Sequence, residues 1–197
     1  MLSFGLSEFS GISAILLSIV SYQGTEKVEK HQVNIDIASY GWQGTSWQGF
    51  YPADLPEDWR LDYYSNEFNA VVIPVELWQG ASVDEIEQWQ DAVHGEFRFY
   101  FEHGLKHLPS REELEAIDLL GAQWGGWISQ TVSAVGNGTP STWYEETTEP
   151  RRMREVIEQL HQDLGRGMHG VIVVNGANAP WEVASDMRQL VELMGYG

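Results

Sequence analysis

The sequence predicts an α/β fold of parallel strands joined by helical crossovers, and three observations lead there. Strand-like runs at HQVNIDIA, AVVIPVE, FRFYFE and GVIVV alternate with segments carrying helix start signals. AVVIPVE is a continuous apolar run of strand length, as expected where both faces of a parallel sheet are covered. Two of the helix starts are capping boxes, Ser82 with Glu85 and Ser110 with Glu113. Right-handed crossovers of this kind build either a (β/α) barrel or an open doubly wound sheet. The first loop, GWQGTSWQG, lacks the G-x-G-x-x-G spacing and the helix start of a dinucleotide site, which removes the main marker of the open sheet.

Each element follows from its local pattern. Val33, Ile35 and Ile37 alternate with Asn34 and Asp36, giving a first strand that ends near Ala38. LPEDWRLDYYSNEF opens with Pro56 and an acidic turn and carries Leu61, Tyr64 and Phe68 on one helical face. The second strand covers residues 70–76, with Pro74 demanding a bulge or a missing ladder bond. Ile86, Trp89 and Val93 form the stripe of the next helix, and Phe97, Phe99 and Phe101 alternate in the third strand. Leu114, Ile117 and Leu120 mark a third helix. WISQTVSAV is a candidate strand and GNGTPST reads as turn chemistry. A helix then starts at the N-cap candidate Thr148, with Pro150 in its first turn, Met153, Ile157, Leu160 and Leu164 as its stripe, and Gly165 or Gly167 as terminator. After GVIVV the last helix runs from Pro180 to Gly195.

Charge bounds the partners. With 29 acidic against 11 basic residues the formal charge is −18, which opposes phosphate backbones and anionic lipid surfaces. Nucleic acid is therefore an unfavoured partner. The chain has no Cys, which removes disulfides, thiolate metal sites and Cys nucleophiles and suits a reducing cytoplasm, the expected location. GISAILLSIV, residues 11–20, is too short for a membrane span of ~20 residues. It lacks a preceding basic region, so it reads as an apolar helix or strand of an N-terminal extension, residues 1–32, and not as a secretory signal.

The stretch VNIDIASYGWQGTSWQGFYP resembles the first strand and loop of the YecE-like proteins, domain of unknown function family 72, with Gly41, Trp42, Trp47, Gly49, Phe50, Tyr51 and Pro52 matching a G-W-x4-W-x-G-x-F-Y-P pattern. LPEDWRLDYYSNEFNAV, EFRFYFE and VIVVNGANAPWEVASDMRQLVEL resemble the family's next helix and strand, its third strand, and its last strand and helix. The resemblance implies a TIM-type (β/α) barrel over residues 33–197 as one domain. Eight units take ~250 residues, so the expectation is an incomplete parallel barrel of about 5–7 strands, its open edge covered by residues 1–32 or by a second copy in a homo-oligomer. The chain departs from the family at Pro74, where Asn is usual, at Val72, where an acid is usual, and at Glu102, where a Lys is usual.

A barrel carries its site at the C-terminal strand ends. That rule selects Ser39, Tyr40 and Trp42 after strand one, Glu76 and Trp78 after strand two, Glu102 and His103 after strand three, and Asn175 and Asn178 after the last strand. Glu76 and Glu102 are the candidate acid/base pair, with His103 beside them, for a metal-independent hydrolase acting on a small polar or sugar-like ligand. Tyr40, Trp42, Trp47, Trp78, Asn175 and Asn178 are the candidate ligand-binding residues, an aromatic-lined mouth. His103 and His107 have i, i+4 spacing, yet no Glu follows the first His, so no metal site is assigned and no cofactor is implied. The competing reading is a divergent binding protein that kept the loop for its fold and lost its charged partners. Metal-dependent nucleic-acid processing rests on fold analogy alone.

Overall fold

The structure is a computed structural model and describes residues 33–104, 108–129, 139–144, 149–164, 168–176 and 178–197. The chain divides into a unit Met1–His31 and a unit Gln32–Gly197, and the expectations for residues 1–32 lie outside the described residues.

Among the described residues six strands form one sheet: β1 (Asn34–Tyr40), β2 (Ala70–Ile73), β3 (Arg98–Glu102), β4 (Trp124–Ile128), β5 (Ser141–Tyr144) and β6 (His169–Val174). Every ladder is parallel and the order is β4-β3-β2-β1-β6-β5. That is the cyclic order of a (β/α) barrel cut once, between β4 and β5, because the first strand pairs with the last. Helices α1 (Arg60–Ser65), α2 (Val75–Trp78), α3 (Val83–Asp91), α4 (Arg111–Asp118), α5 (Pro150–Asp163) and α6 (Pro180–Met194) fill the connections. The fold is thus an α/β incomplete parallel barrel of TIM type.

The curl of the sheet follows from one side chain. In a flat sheet β3 and β6 would lie about 14 Å apart, three strand spacings. Yet the Tyr100 hydroxyl on β3 is 2.7 Å from His169 Nε2 on β6, which only a curled sheet allows. The seam is also bridged. Just before β5, the Thr139 N–H donates to the Trp127 carbonyl at 2.9 Å and its hydroxyl to the Gly125 carbonyl at 2.9 Å, both on β4. Among the described residues no ladder joins β4 to β5, so Thr139 is the point where the two edges meet.

The alternation of side chains sorts the core into two. On the convex face Ile35, Ile37, Val71, Ile73, Phe99, Phe101, Ile172 and Val174 pack against the helix stripes and the aromatic first loop. On the concave face Ala38, Ala70, Val72, Tyr100, Ile128, Val171 and Val173 fill the interior. Small residues suit a tight curl. Gly125 sits where an added Cβ would lie 2.7 Å from the Tyr100 ring, so its bare backbone makes room for that ring.

The structure corrects several expectations. β1 runs on to Tyr40 and does not end near Ala38. β2 stops at Ile73, and Pro74 makes no bulge: it is the N-cap of α2, where its missing N–H costs nothing. The helix expected over 55–68 is a short 3-10 turn at Glu57–Trp59 followed by α1. β4 begins at Trp124, upstream of WISQTVSAV, most of which lies outside the described residues. Ser141 and Thr142, read as turn chemistry, belong to β5. The N-cap of α5 is Glu149, while Thr148, Gly165 and Gly167 lie outside the described residues. Both capping boxes form as expected, at Ser82/Glu85 and Ser110/Glu113.

Candidate functional site

The mouth of the barrel is built from the C-terminal strand ends. Tyr40 closes β1 and Glu102 closes β3, and the Tyr40 hydroxyl donates to Glu102 Oε2 at 2.7 Å. The Val75 N–H donates to the same oxygen at 3.2 Å, and Trp78 Nε1 donates to the Glu102 carbonyl at 3.0 Å. Glu102 therefore ties β1, β3 and α2 together. Burial, with the Glu102 carboxylate beside it, pushes the Tyr40 hydroxyl well above the ordinary tyrosine range, and the Glu76 carboxylate adds to the shift. Tyr40 is held as a neutral donor. On β5, Trp143 packs against Tyr40 at a ring-centroid distance of 5.5 Å.

Beside this strut opens a cleft of about 510 Å³ at the ends of β1, β2 and β6. Its polar wall is Tyr40, Gln43, Ser46, Glu76 and Asn175, and its apolar wall is Pro74, Leu77, Val174 and Pro180. The first loop turns over it through Gly41 (φ 71°) and Gly44 (φ 105°), backbone conformations that favour glycine. Just before the lining residue Pro180, Ala179, a non-glycine, caps α6 in the left-handed region (φ 43°).

Of the residues selected from the sequence, Tyr40, Glu76 and Asn175 line the cleft. Glu102 is tied to Tyr40 next to it. His103 packs its ring edge-on to Trp127, 5.9 Å away, and its backbone N–H donates to the Ile128 carbonyl at 2.7 Å. Trp127 packs with the helix-side core, so His103 is not paired with the two carboxylates. Ser39 is buried, donating to the Gly41 carbonyl and bonded to Tyr64. Asn178 is exposed and outside the cleft lining. Trp42, Trp47 and Trp78 are 3%, 1% and 1% exposed, respectively, and are core residues, so the expected wall of tryptophans is not formed. His107 lies outside the described residues, and among the described residues no three His, Asp or Glu side chains could hold a metal ion.

The sequence reading missed a second polar cluster at the opposite end of the interior. Tyr100 OH donates to Asp36 Oδ2 at 2.6 Å, His169 Nε2 lies 2.8 Å from the same oxygen, and Arg98 Nε is 3.5 Å from it. With Asp36 ionised, Nε2 of His169 must carry a proton, since two bare acceptors would repel at that distance. The available signal was the strand period: Asp36 shares the face of Ala38 and Tyr40, which in a curled sheet is the interior.

Burial dominates the upward pKa shifts of Tyr51, Tyr64 and Tyr100, and Asp36 raises Tyr100 further. A raised acid favours its neutral form in the folded state. The stability contributed is complete below the unfolded value of ~10 and is lost as pH rises through the folded values. We expect melting temperature to fall above pH ~10 and the 295 nm absorbance of these tyrosinates to appear only together with unfolding. Tyrosinate absorbance preceding the loss of circular dichroism would contradict the burial.

The fold and the mouth define a (β/α)-barrel protein with a polar cleft at the carboxyl ends of its strands. Residues 37–106, which contain the second half of β1, all of β2 and β3 and the segments between them, match the family described as "Protein of unknown function DUF72". That segment is similar to a DUF72/YecE-like domain. A crystal structure of a DUF72 family protein from Enterococcus faecalis V583 is similar at 14% identity, covering 83% of this chain and 61% of that one, with a TM-score of 0.31. No curated protein matches the sequence. No helix among the described residues is long and apolar enough to cross a membrane.

Proposed function

We propose that this chain is a binding protein that holds a small, uncharged polar ligand in the cleft beside Tyr40, without turning it over. The observation that carries this reading is the double acceptance at Glu102 Oε2. Two donors, Tyr40 OH and Val75 N–H, engage the strand-three carboxylate, which makes it a strut of the mouth. A glycosidase-type mechanism needs two carboxyl groups free to face the scissile bond from opposite sides. Among the described residues, Glu76 is the one carboxylate that lines the cleft.

The lining also supports the ligand class. Gln43, Ser46, Asn175 and Glu76 offer donors and acceptors around an apolar floor of Leu77 and Val174, the mixture that suits a ring with polar edges and an apolar face. Glu76 and the −18 charge act against anions. The test is a ligand-observed NMR screen of neutral monosaccharides and polyols, their phosphate esters, and the matching nitrophenyl glycosides. The reading expects binding by neutral compounds, none by the esters, and intact glycosides after prolonged incubation. Glycoside turnover that disappears in Glu76→Gln would replace it with the hydrolase reading.

A further inference from the structure

A second concavity of about 500 Å³ lies between the first loop, the end of α1 and the first turns of α6. Its walls are aromatic. Phe50 packs against Tyr63, Phe68 and Trp181 at centroid distances of 5.4, 5.9 and 6.0 Å. Its rim is acidic: Glu67, Glu182 and Asp186 line it, and among the described residues no Lys, Arg or His does. All three carboxylates are exposed, so they project a field and are not consumed in the core.

Aromatic faces attract cations through the ring quadrupole, and carboxylates at the rim add a Coulomb term. The molecule already uses one of these faces in that way. The Arg188 guanidinium carbon lies 6.0 Å from the Phe68 ring centroid, and Arg188 donates to the Glu67 carbonyl. The Arg188 guanidinium and the partial positive charge at the start of α6, about half an elementary charge, oppose a further cation, but together they are less than the three carboxylates supply.

We propose that this groove binds an organic cation, an alkylammonium or guanidinium group with an apolar face, seated against Phe50 and Trp181 and paired with Glu67, Glu182 and Asp186. The site is independent of the polar cleft. The chemistry is shared by free small amines and by arginine or lysine side chains of a protein partner.

The test titrates the protein with ethylguanidinium and with its neutral analogue ethylurea, following the Trp181 indole resonance assigned by Trp181→Phe. Ethylguanidinium is expected to shift that resonance and ethylurea to leave it in place. Combining E67Q, E182Q and D186N, all on exposed positions that leave the core intact by circular dichroism, is expected to raise Kd about tenfold. The E76Q variant is expected to leave that Kd unchanged. Equal response to ethylurea, no response to ethylguanidinium, or a loss caused by E76Q and not by the triple variant would overturn the proposal. A capped Gly-Arg-Gly peptide binding tighter than ethylguanidinium assigns the source to a protein side chain, and weaker binding assigns it to a free small cation.

Discussion

Replacing Trp47 with alanine is expected to cost about 3–5 kcal/mol of folding stability, the range for deleting a fully buried large aromatic side chain. Trp47 is 1% exposed and stands at the centre of a ring cluster, 5.3 Å from Phe50, 5.4 Å from Tyr64 and 6.1 Å from Tyr51 between centroids. The cluster is pinned by polar bonds: Tyr51 OH donates to the Trp42 carbonyl at 2.6 Å and Tyr64 OH to the Ala70 carbonyl at 2.7 Å. Removing the indole leaves a cavity that these anchored rings cannot collapse to fill. Trp59, at 61% exposed, is the control, and Trp59→Ala is expected to stay within about 0.5 kcal/mol. Urea denaturation of both variants with an unchanged slope reads the difference. Equal effects would mean that the loop is a lid over the mouth and not part of the core.

The second large effect is expected at Asp36. Asp36→Ala removes the acceptor shared by Tyr100 OH and His169 Nε2 and the nearby partner of Arg98, at a side chain only 21% exposed. Stranding these donors inside the curl should cost about 2–3 kcal/mol, below the full value for a buried ion pair because the cluster touches solvent. Tyr100→Phe removes one donor and leaves the Asp36 contacts to His169 and Arg98, so it should cost about 1 kcal/mol. A double-mutant cycle in denaturant measures the coupling between them. Additive losses would show that the cluster contributes nothing as a unit.

Most of the fold was legible because its signals are local. The two capping boxes, the apolar stripes of α5 and α6, and the alternation in β1 and β3 depend on a few neighbouring residues each. The cyclic strand order followed from the resemblance in YGWQGTSWQGFYP and its flanks, since no local pattern distinguishes a cut barrel from an open sheet. β5 escaped because Ser141 and Thr142 follow Gly138, Thr139 and Pro140, and turn chemistry masked a strand held mainly by its ladder with β6. Pro74 was misjudged because a helix N-cap and a strand bulge both tolerate proline.

The candidate site was legible by position and less so by orientation. The strand-end rule found Tyr40, Glu76, Glu102 and Asn175, which meet at one mouth. It could not say that Trp42, Trp47 and Trp78 turn into the core, because loop tryptophans can face a ligand or a helix layer with the same sequence. The cluster around Asp36 was hidden for a related reason. A polar residue on one face of a strand suggests solvent until the sheet is known to curl, and the curl is set by pairings far apart in sequence.

Under the proposed function, labour at the mouth is divided, with Glu102 holding the barrel and Glu76 facing the ligand. The most direct measurement takes one neutral compound from the NMR screen and determines both its Kd and the melting temperature for Glu76→Gln and Glu102→Gln. Glu76→Gln is expected to weaken binding about tenfold at an unchanged melting temperature, since a lost hydrogen bond to a charged group is worth ~1.5 kcal/mol. Glu102→Gln should lower the melting temperature by several degrees, as ~1 kcal/mol does in a domain of this size. A Glu102→Gln variant that melts like the parent but no longer binds would overturn this division and place Glu102 in the site and not in the scaffold.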